Sequence, residues 1–329
     1  MRALVTGGGG FLGRHIVNLL LQRDFQVRSF QRSSHQDLID LGAECFLGDL
    51  RKYEDVEKAC EGVDVVFHVA AKAGVWGSYE SYHSINVTGT ENILKACKKH
   101  KVPKLIYTSS PSVAFGIEAI EKGDETLPYP EKYLTAYPET KAIAERLVLD
   151  ANCDELLTCA LRPHLIWGPG DNHLIPRLVE AHRNGKLMQV GDGENLVDIT
   201  YVENGAFAHI QAEQSLVKGS KTAGQAYFIG DQNPVKLWSW VNEMLETLGE
   251  EKVTKNISYD KARFVGRVME VAYKILPLKG EPPMTRFIAA QLAKSHYFSH
   301  DKALQHYGYM APISNDEGLK RLKDWWTTR

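Results

Sequence analysis

The sequence predicts an α/β fold: a doubly wound parallel sheet with helices on both faces, followed by a smaller, mostly helical C-terminal cap. Three observations predict it. Short apolar runs alternate with segments of helical spacing from the first residue. A glycine cluster stands directly between the first run and the first helix. The alternation breaks down after Pro163.

The strand candidates are residues 3–6, 26–30, 44–47, 64–69, 104–108 and 157–161. The helix candidates between them are 11–22, 53–60, 82–99 and 136–151. Beyond Pro163, the turn cluster Gly168-Pro169-Gly170 leads to a helix at 175–183 and a loop-rich stretch from Gly185 to Gly193. Residues 196–202 follow, and 223–229 return as a late strand of the main sheet. Residues 237–248 and 260–329 read as mostly helical. They are expected to cap the C-terminal edge of the sheet, where ligands of such folds sit.

Of 329 residues, 43% are hydrophobic and 24% charged, the balance of a globular protein with a substantial core. The net charge of −2 offers no basic field for nucleic acid. Cys45, Cys60, Cys97, Cys153 and Cys159 form no CxxC pair and no metal-like spacing, so reduced thiols in a cytoplasmic protein are expected and no metal is. Met1-Arg2 runs straight into the first strand, so no signal peptide is expected, and no apolar run reaches the ~20 residues of a membrane span.

Thr6-Gly7-Gly8-Gly9-Gly10-Phe11-Leu12-Gly13 joins the first strand to the first helix. Gly7 and Gly10 let the backbone turn tightly and approach a pyrophosphate, and Gly13 lets the helix pack closely. The free N–H groups at the helix start, around Phe11 and Leu12, would then face the phosphates. Four glycines could also form a plain flexible turn; the placement between strand and helix favours a dinucleotide. The end of the second strand reads the cofactor form. Gln31 stands where NAD-preferring sites place a carboxylate, and Arg32, Ser33 and Ser34 follow it. Arg32 can bond a 2′-phosphate, so NADP(H) is expected, against the alternative of a surface arginine in a polar loop.

Tyr137-Pro138-Glu139-Thr140-Lys141 is a Y-x-x-x-K pattern, whose spacing puts Tyr137 and Lys141 on one helical face. Carbonyl reduction needs a proton donor, and a phenol with a pKa near 10 works near neutral pH only where a cation stabilises its phenolate. Just past the fifth strand, Thr108-Ser109-Ser110-Pro111-Ser112 offers a hydroxyl for the developing oxyanion. Ser110 is the better match than Ser109, though a serine here could simply cap a turn.

The G-x-x-G-x-x-G turn with Y-x-x-x-K resembles the extended branch of the short-chain dehydrogenase/reductases, and the resemblance covers nearly the whole chain. It implies a Rossmann-type domain at 1–166 plus about 196–230, and a substrate-binding cap at about 167–195 plus 231–329. By family resemblance, Asp49 and Leu50 would lie against the adenine, Ala70 and Ala71 would pass beside the cofactor, and Lys141 would also bind the nicotinamide ribose. Asn86 matches a family position that supports the site, with a helix-start role equally open.

The segment from Leu161 to Gly170, with Pro163, looks like the family stretch facing the nicotinamide. Val190-Gly191-Asp192-Gly193, Asp198-Ile199-Thr200-Tyr201-Val202 and Glu281-Pro282-Pro283-Met284-Thr285-Arg286 resemble the 3β-hydroxysteroid dehydrogenase group. Within it, Ala70–Tyr79, Tyr107–Val113 and Ile166–Asp171 are similar to the bacterial reductases of 2-alkyl-3-ketoalkanoic acids in long-chain olefin biosynthesis, with Ser110 in place of an expected threonine.

This implies NADPH-dependent reduction of a long-chain β-keto acid to the β-hydroxy acid, a homodimer, and association with enzymes of the same pathway. Steroid or sterol 3β-dehydrogenases share the chemistry, and nucleotide-sugar epimerases the fold. A non-catalytic NADPH sensor would have lost Tyr137 or Lys141. Trp76, Tyr79, Trp167 and Tyr201 are candidates for an apolar substrate wall, and Arg177 and His164 for the carboxylate. Residues 264–276 form an amphipathic helix whose apolar positions 264, 268, 271, 272, 275 and 276 are expected to face the cap or the substrate. A membrane surface or a partner enzyme is the alternative.

Overall fold

A computed structural model describes residues 1–276, 278 and 280–328. The strands β1 (Arg2–Thr6), β2 (Gln26–Gln31), β3 (Glu44–Leu47), β4 (Val65–His68) and β5 (Lys104–Thr108) join Leu157–Pro163 and Gln225–Ile229 in one seven-stranded sheet. From one edge the order runs Gln225–Ile229, Leu157–Pro163, β5, β4, β1, β2, β3. Every pairing in it is parallel. β1 lies between β2 and β4, so the winding reverses there and a crevice opens past the C-terminal ends of these strands.

Alternation along the strands builds two cores. Ala3, Val5, Val65 and Phe67 pack with Leu12, Ile16, Val17 and Leu20 of the helix Phe11–Leu21 and with Ala206 and Ile210 of the helix Val202–Ser215. Leu4, Val66 and Leu105 point the other way, onto the helices Tyr53–Cys60, Gly89–His100 and Ala136–Asp150. Burying each such aliphatic side chain stabilises the fold by roughly 1.5–3 kcal/mol. A third core around Trp167, Trp238, Trp240, Leu319 and Leu322 lies in the C-terminal part.

The helix expected at 82–99 is interrupted. Tyr79–His83 passes through a π-helical turn at Ser84–Thr88 before Gly89–His100 begins, and Asn86 sits inside that turn. The helix Val202–Ser215 and the strands Ile120–Gly123 and His296–Phe298 were not foreseen. Leu196–Val197 pairs with Val235–Lys236 on one side and with His296 on the other, and Ile120–Gly123 completes this second sheet beyond His296–Phe298. That sheet carries residues from the far C-terminal region to the crevice.

Candidate active site

All the residues expected to bind the cofactor or act on the substrate line one cleft of about 950 Å³. The glycine turn forms its floor. Gly7 has φ +70°, and a Cβ there would press on Ala70 at 3.0–3.2 Å. A Cβ on Gly13 would overlap the Gly7 carbonyl, so Gly13 serves the turn's own backbone as well as helix packing. The helix Phe11–Leu21 starts at Gly10 with no side-chain cap and no acidic residue in its first turn, which leaves its N–H groups to an anion.

At the end of β2, Gln31 is buried and its Oε1 accepts from the Gly9 N–H (2.8 Å) and the Ser29 hydroxyl (2.7 Å). Its amide therefore braces the glycine turn. Arg32 and Ser33 lie exposed on the cleft rim, and among the described residues Arg32 has no ion-pair partner. Asp49, beside Leu50, is bonded by the Arg51 guanidinium Nε at 3.0 Å to both carboxylate oxygens, which holds its carboxyl down at about 2. Arg51 also lines the cleft, and sequence reasoning missed it although it stands two residues past Asp49.

Ala70 and Ala71 follow β4. The Val69 and Ala70 N–H groups donate to Thr6 Oγ1 at 3.1 Å each, which fixes their path beside the glycines. Asn86 grips the next residue: its Oδ1 accepts from the Lys72 N–H (2.7 Å), while its Nδ2 donates to the Lys72 carbonyl (3.1 Å) and to Thr140 Oγ1 (3.0 Å). Asn86 thus ties the β4 loop to the Tyr137 helix and does not start a helix.

Ser110 Oγ accepts from the Ser112 hydroxyl (2.9 Å) and the Ser112 N–H (3.2 Å), which leaves its own proton free to donate. Burial pushes the Tyr137 phenol up, and the facing Ser110 hydroxyl works against that. Lys141 is buried, with its ammonium over the Tyr107 ring (4.1 Å) and donating to the Thr108 carbonyl (2.6 Å). Burial brings Lys141 down to about 7, partly offset by Glu145. The phenol's acidity therefore does not come ready-made from the lysine; Lys141 counts once charge develops on the phenol oxygen. Pro163 also lines the cleft.

The aromatic candidates fall elsewhere. Trp167 and Tyr201 are buried against each other and Trp240 in the third core, Tyr79 is exposed, and Trp76 packs on Tyr273. The apolar wall is instead Val75, Phe115, Leu165, Phe287 and Phe298. Arg177 lies exposed outside the cleft and pairs with Glu281 at 3.4 Å. His164 lines the cleft, but its Nε2 meets His296 Nδ1 at 2.6 Å, and burial with that neighbour holds it well below the usual histidine range. It offers a neutral hydrogen bond and no cation. No group of residues among those described has the makings of a metal site.

The 3-beta hydroxysteroid dehydrogenase/isomerase family model matches residues 4–258, which contain the turn, Ser110, Tyr137 and Lys141. The chain belongs to this family. Similar family relatives include a 2-alkyl-3-oxoalkanoate reductase of Stenotrophomonas maltophilia, 46% identical over 98% of both chains. The human sterol-4-alpha-carboxylate 3-dehydrogenase, decarboxylating, is 37% identical over 97% of this chain and 87% of its own. The solved structure of MoeE5 in complex with UDP-glucose and NAD is 26% identical, with a TM-score of 0.75, over 100% of this chain and 99% of that one. The protein is an oxidoreductase of the extended short-chain dehydrogenase/reductase type, with a nicotinamide dinucleotide as cofactor.

Proposed function

We propose that the chain uses NADPH to reduce the 3-keto group of a 2-alkyl-3-ketoalkanoic acid to the 3-hydroxy acid, with Tyr137 as proton donor. Residues 1–166 and about 196–230 would hold the cofactor and the remainder would cover the substrate. The observation that carries this reading is one continuous cleft. It holds the glycine turn, the Ser110–Tyr137–Lys141 group and an apolar wall suited to alkyl chains. The product would be the acid that long-chain olefin formation consumes.

A nicotinamide dinucleotide held along the glycine turn and beside Lys141 would supply the hydride to the carbonyl carbon. As the carbonyl π bond breaks, Ser110 donates a hydrogen bond to the oxygen and Tyr137 gives it a proton. The phenolate left behind is stabilised by the Lys141 ammonium until solvent restores its proton.

Arg32 supports the preference for NADPH: it follows Gln31, which stands where a carboxylate would repel a 2′-phosphate, and among the described residues it has no ion-pair partner. Arg32→Ala is expected to raise KM for NADPH about 10–100-fold and leave that for NADH unchanged, the cost of a lost charge-assisted bond. Initial-rate kinetics with both cofactors check this, and equal kcat/KM for the two in the unmutated enzyme would contradict it.

We assign the substrate carboxylate to Lys72. It lines the cleft, its Nζ donates to Ser81 Oγ (2.7 Å) above the Tyr82 ring (4.7 Å), and among the described residues it has no ion-pair partner. Lys72→Gln is expected to raise KM for the acid by about tenfold or more while sparing NADPH binding. An unchanged KM would remove Lys72 from this role.

The experiment that tests the function is oxidation, with NADP⁺, of a 2-alkyl-3-hydroxy acid beside a 3β-hydroxysteroid. That direction avoids β-keto acids, which decarboxylate. Turnover of the hydroxy acid supports the reading, and turnover of the steroid alone replaces it with a sterol dehydrogenase.

A further inference from the structure

The helix Tyr259–Ile275 does not bury the apolar side expected to face the cap. Its inward side is set by small residues and one ion pair. Ala262 and Gly266 are buried, and a Cβ on Gly266 would press on the Thr285 and Arg286 backbone at 2.6–2.9 Å. Glu270 Oε1 accepts from the Arg286 N–H and Oε2 from its guanidinium, each at 2.8 Å. This orientation turns Phe264, Val268, Val271 and Ile275 outward along one stripe. Phe264 and Ile275 are 68% and 74% exposed, and Leu276 and Leu278 extend the apolar surface past the helix end.

Charge beside the stripe is mainly positive, with exposed Asp260, one turn before Phe264, as the exception. On a helical projection, Arg263, Arg267 and Lys274 lie along one flank and Lys261 along the other, all exposed. Of the acidic residues on this helix, Glu270 is engaged by Arg286, and Asp260 stands at the N-terminal end. A contiguous apolar surface of this kind on a soluble chain marks a contact.

We propose that this face docks on the surface of an anionic lipid bilayer, with the helix axis in the plane of the interface. A second copy of the stripe would bring a mainly cationic rim against itself. Anionic headgroups over acyl chains match both features, since the flanking side chains can reach the headgroups while the stripe sinks between them. Among the described residues no helix is long and apolar enough to cross a membrane, so the contact is one of lying on it. The helix packs on Arg286–Ala293, which supplies Phe287 and Gln291 to the cleft, and its Tyr273 meets Trp76 edge-on at 6.1 Å beside Val75. Docking would therefore bring the apolar wall of the cleft close to the bilayer. The value of this for delivering an alkyl substrate rests on the proposed function; the docking itself does not.

Co-sedimentation of the full chain with vesicles tests it. The chain is expected to pellet with vesicles of phosphatidylglycerol and phosphatidylethanolamine, to be released by high salt, and to ignore phosphatidylcholine alone. The triple variant Arg263→Gln, Arg267→Gln, Lys274→Gln should lower the partition coefficient on the order of a hundredfold. The variant Phe264→Ser, Val268→Ser, Ile275→Ser should abolish binding. Both alter exposed side chains, so thermal unfolding and NADPH turnover in solution are expected to persist, and loss of turnover in the unmutated chain would count only against the proposed function. The proposal is overturned by absence of pelleting, by equal pelleting with phosphatidylcholine, or by unchanged pelleting of both variants. It is also overturned by light scattering that shows a dimer broken by the serine variant without vesicle binding, which would assign the face to a second copy.

Discussion

Tyr137→Phe is expected to lower kcat about 10²–10⁴-fold, the range for loss of a positioned general acid, while NADPH still binds. The substitution removes one oxygen. The ring keeps its edge-on contact with Tyr82 (6.5 Å), and the glycine turn that would hold the pyrophosphate is untouched. Stopped-flow turnover with cofactor-fluorescence titration separates the two effects; unchanged turnover would reject Tyr137 as the donor. The pH profile carries a second arm. Lys141 must be cationic to hold the phenolate, and burial brings its pKa down to about 7 in the free enzyme. Its charge is therefore present below that value and lost above it, so kcat/KM for reduction should fall as pH rises through about 7. Lys141→Met should lower the rate throughout and remove that limb.

The second large effect is on stability. Arg162→Met is expected to cut the unfolding free energy by about 3–5 kcal/mol, read as a lower urea midpoint with little change in slope. Arg162 and Glu145 are both buried and bonded twice, Nε to Oε2 at 2.9 Å and Nη2 to Oε1 at 2.6 Å, and Tyr129 donates to the same carboxylate at 2.6 Å. Burial raises the Glu145 pKa, but the guanidinium outweighs it and the net shift is downward. Removing the guanidinium leaves a buried carboxylate without its cation, one turn past Lys141 on the same helix. A midpoint equal to that of the unmutated chain would show that the pair adds nothing.

The features that were legible in the sequence are those that short-range chemistry dictates. The glycines follow β1 where a Cβ would press on Ala70 or on the turn's own carbonyl, and Tyr137 and Lys141 share a helical face because their spacing demands it. The seven strands alternate with helices in a way that allows few windings. What stayed hidden depends on distant partners. The three residues of His296–Phe298 carry no period of their own, and become a strand only because Leu196–Val197 and Ile120–Gly123 flank them. Phe115, Phe287 and Phe298 reach the cleft from three separate segments, while Trp167 and Tyr201, nearer the catalytic motifs in sequence than Phe287 or Phe298, are taken up by the third core. Periodicity showed that residues 264–276 have an apolar face. It could not show that Gly266 and Glu270 would fix the opposite face inward.

A crystal structure of the chain with NADP⁺ tests the central claim most directly. The account predicts the nicotinamide ring beside Ser110 and Tyr137, with room for a carbonyl carbon about 3–3.5 Å from the ring carbon that carries the hydride, and with Lys141 turned to the ribose. A nicotinamide bound at the Arg32 end, or a Tyr137 oxygen out of reach of any such carbonyl, would contradict it.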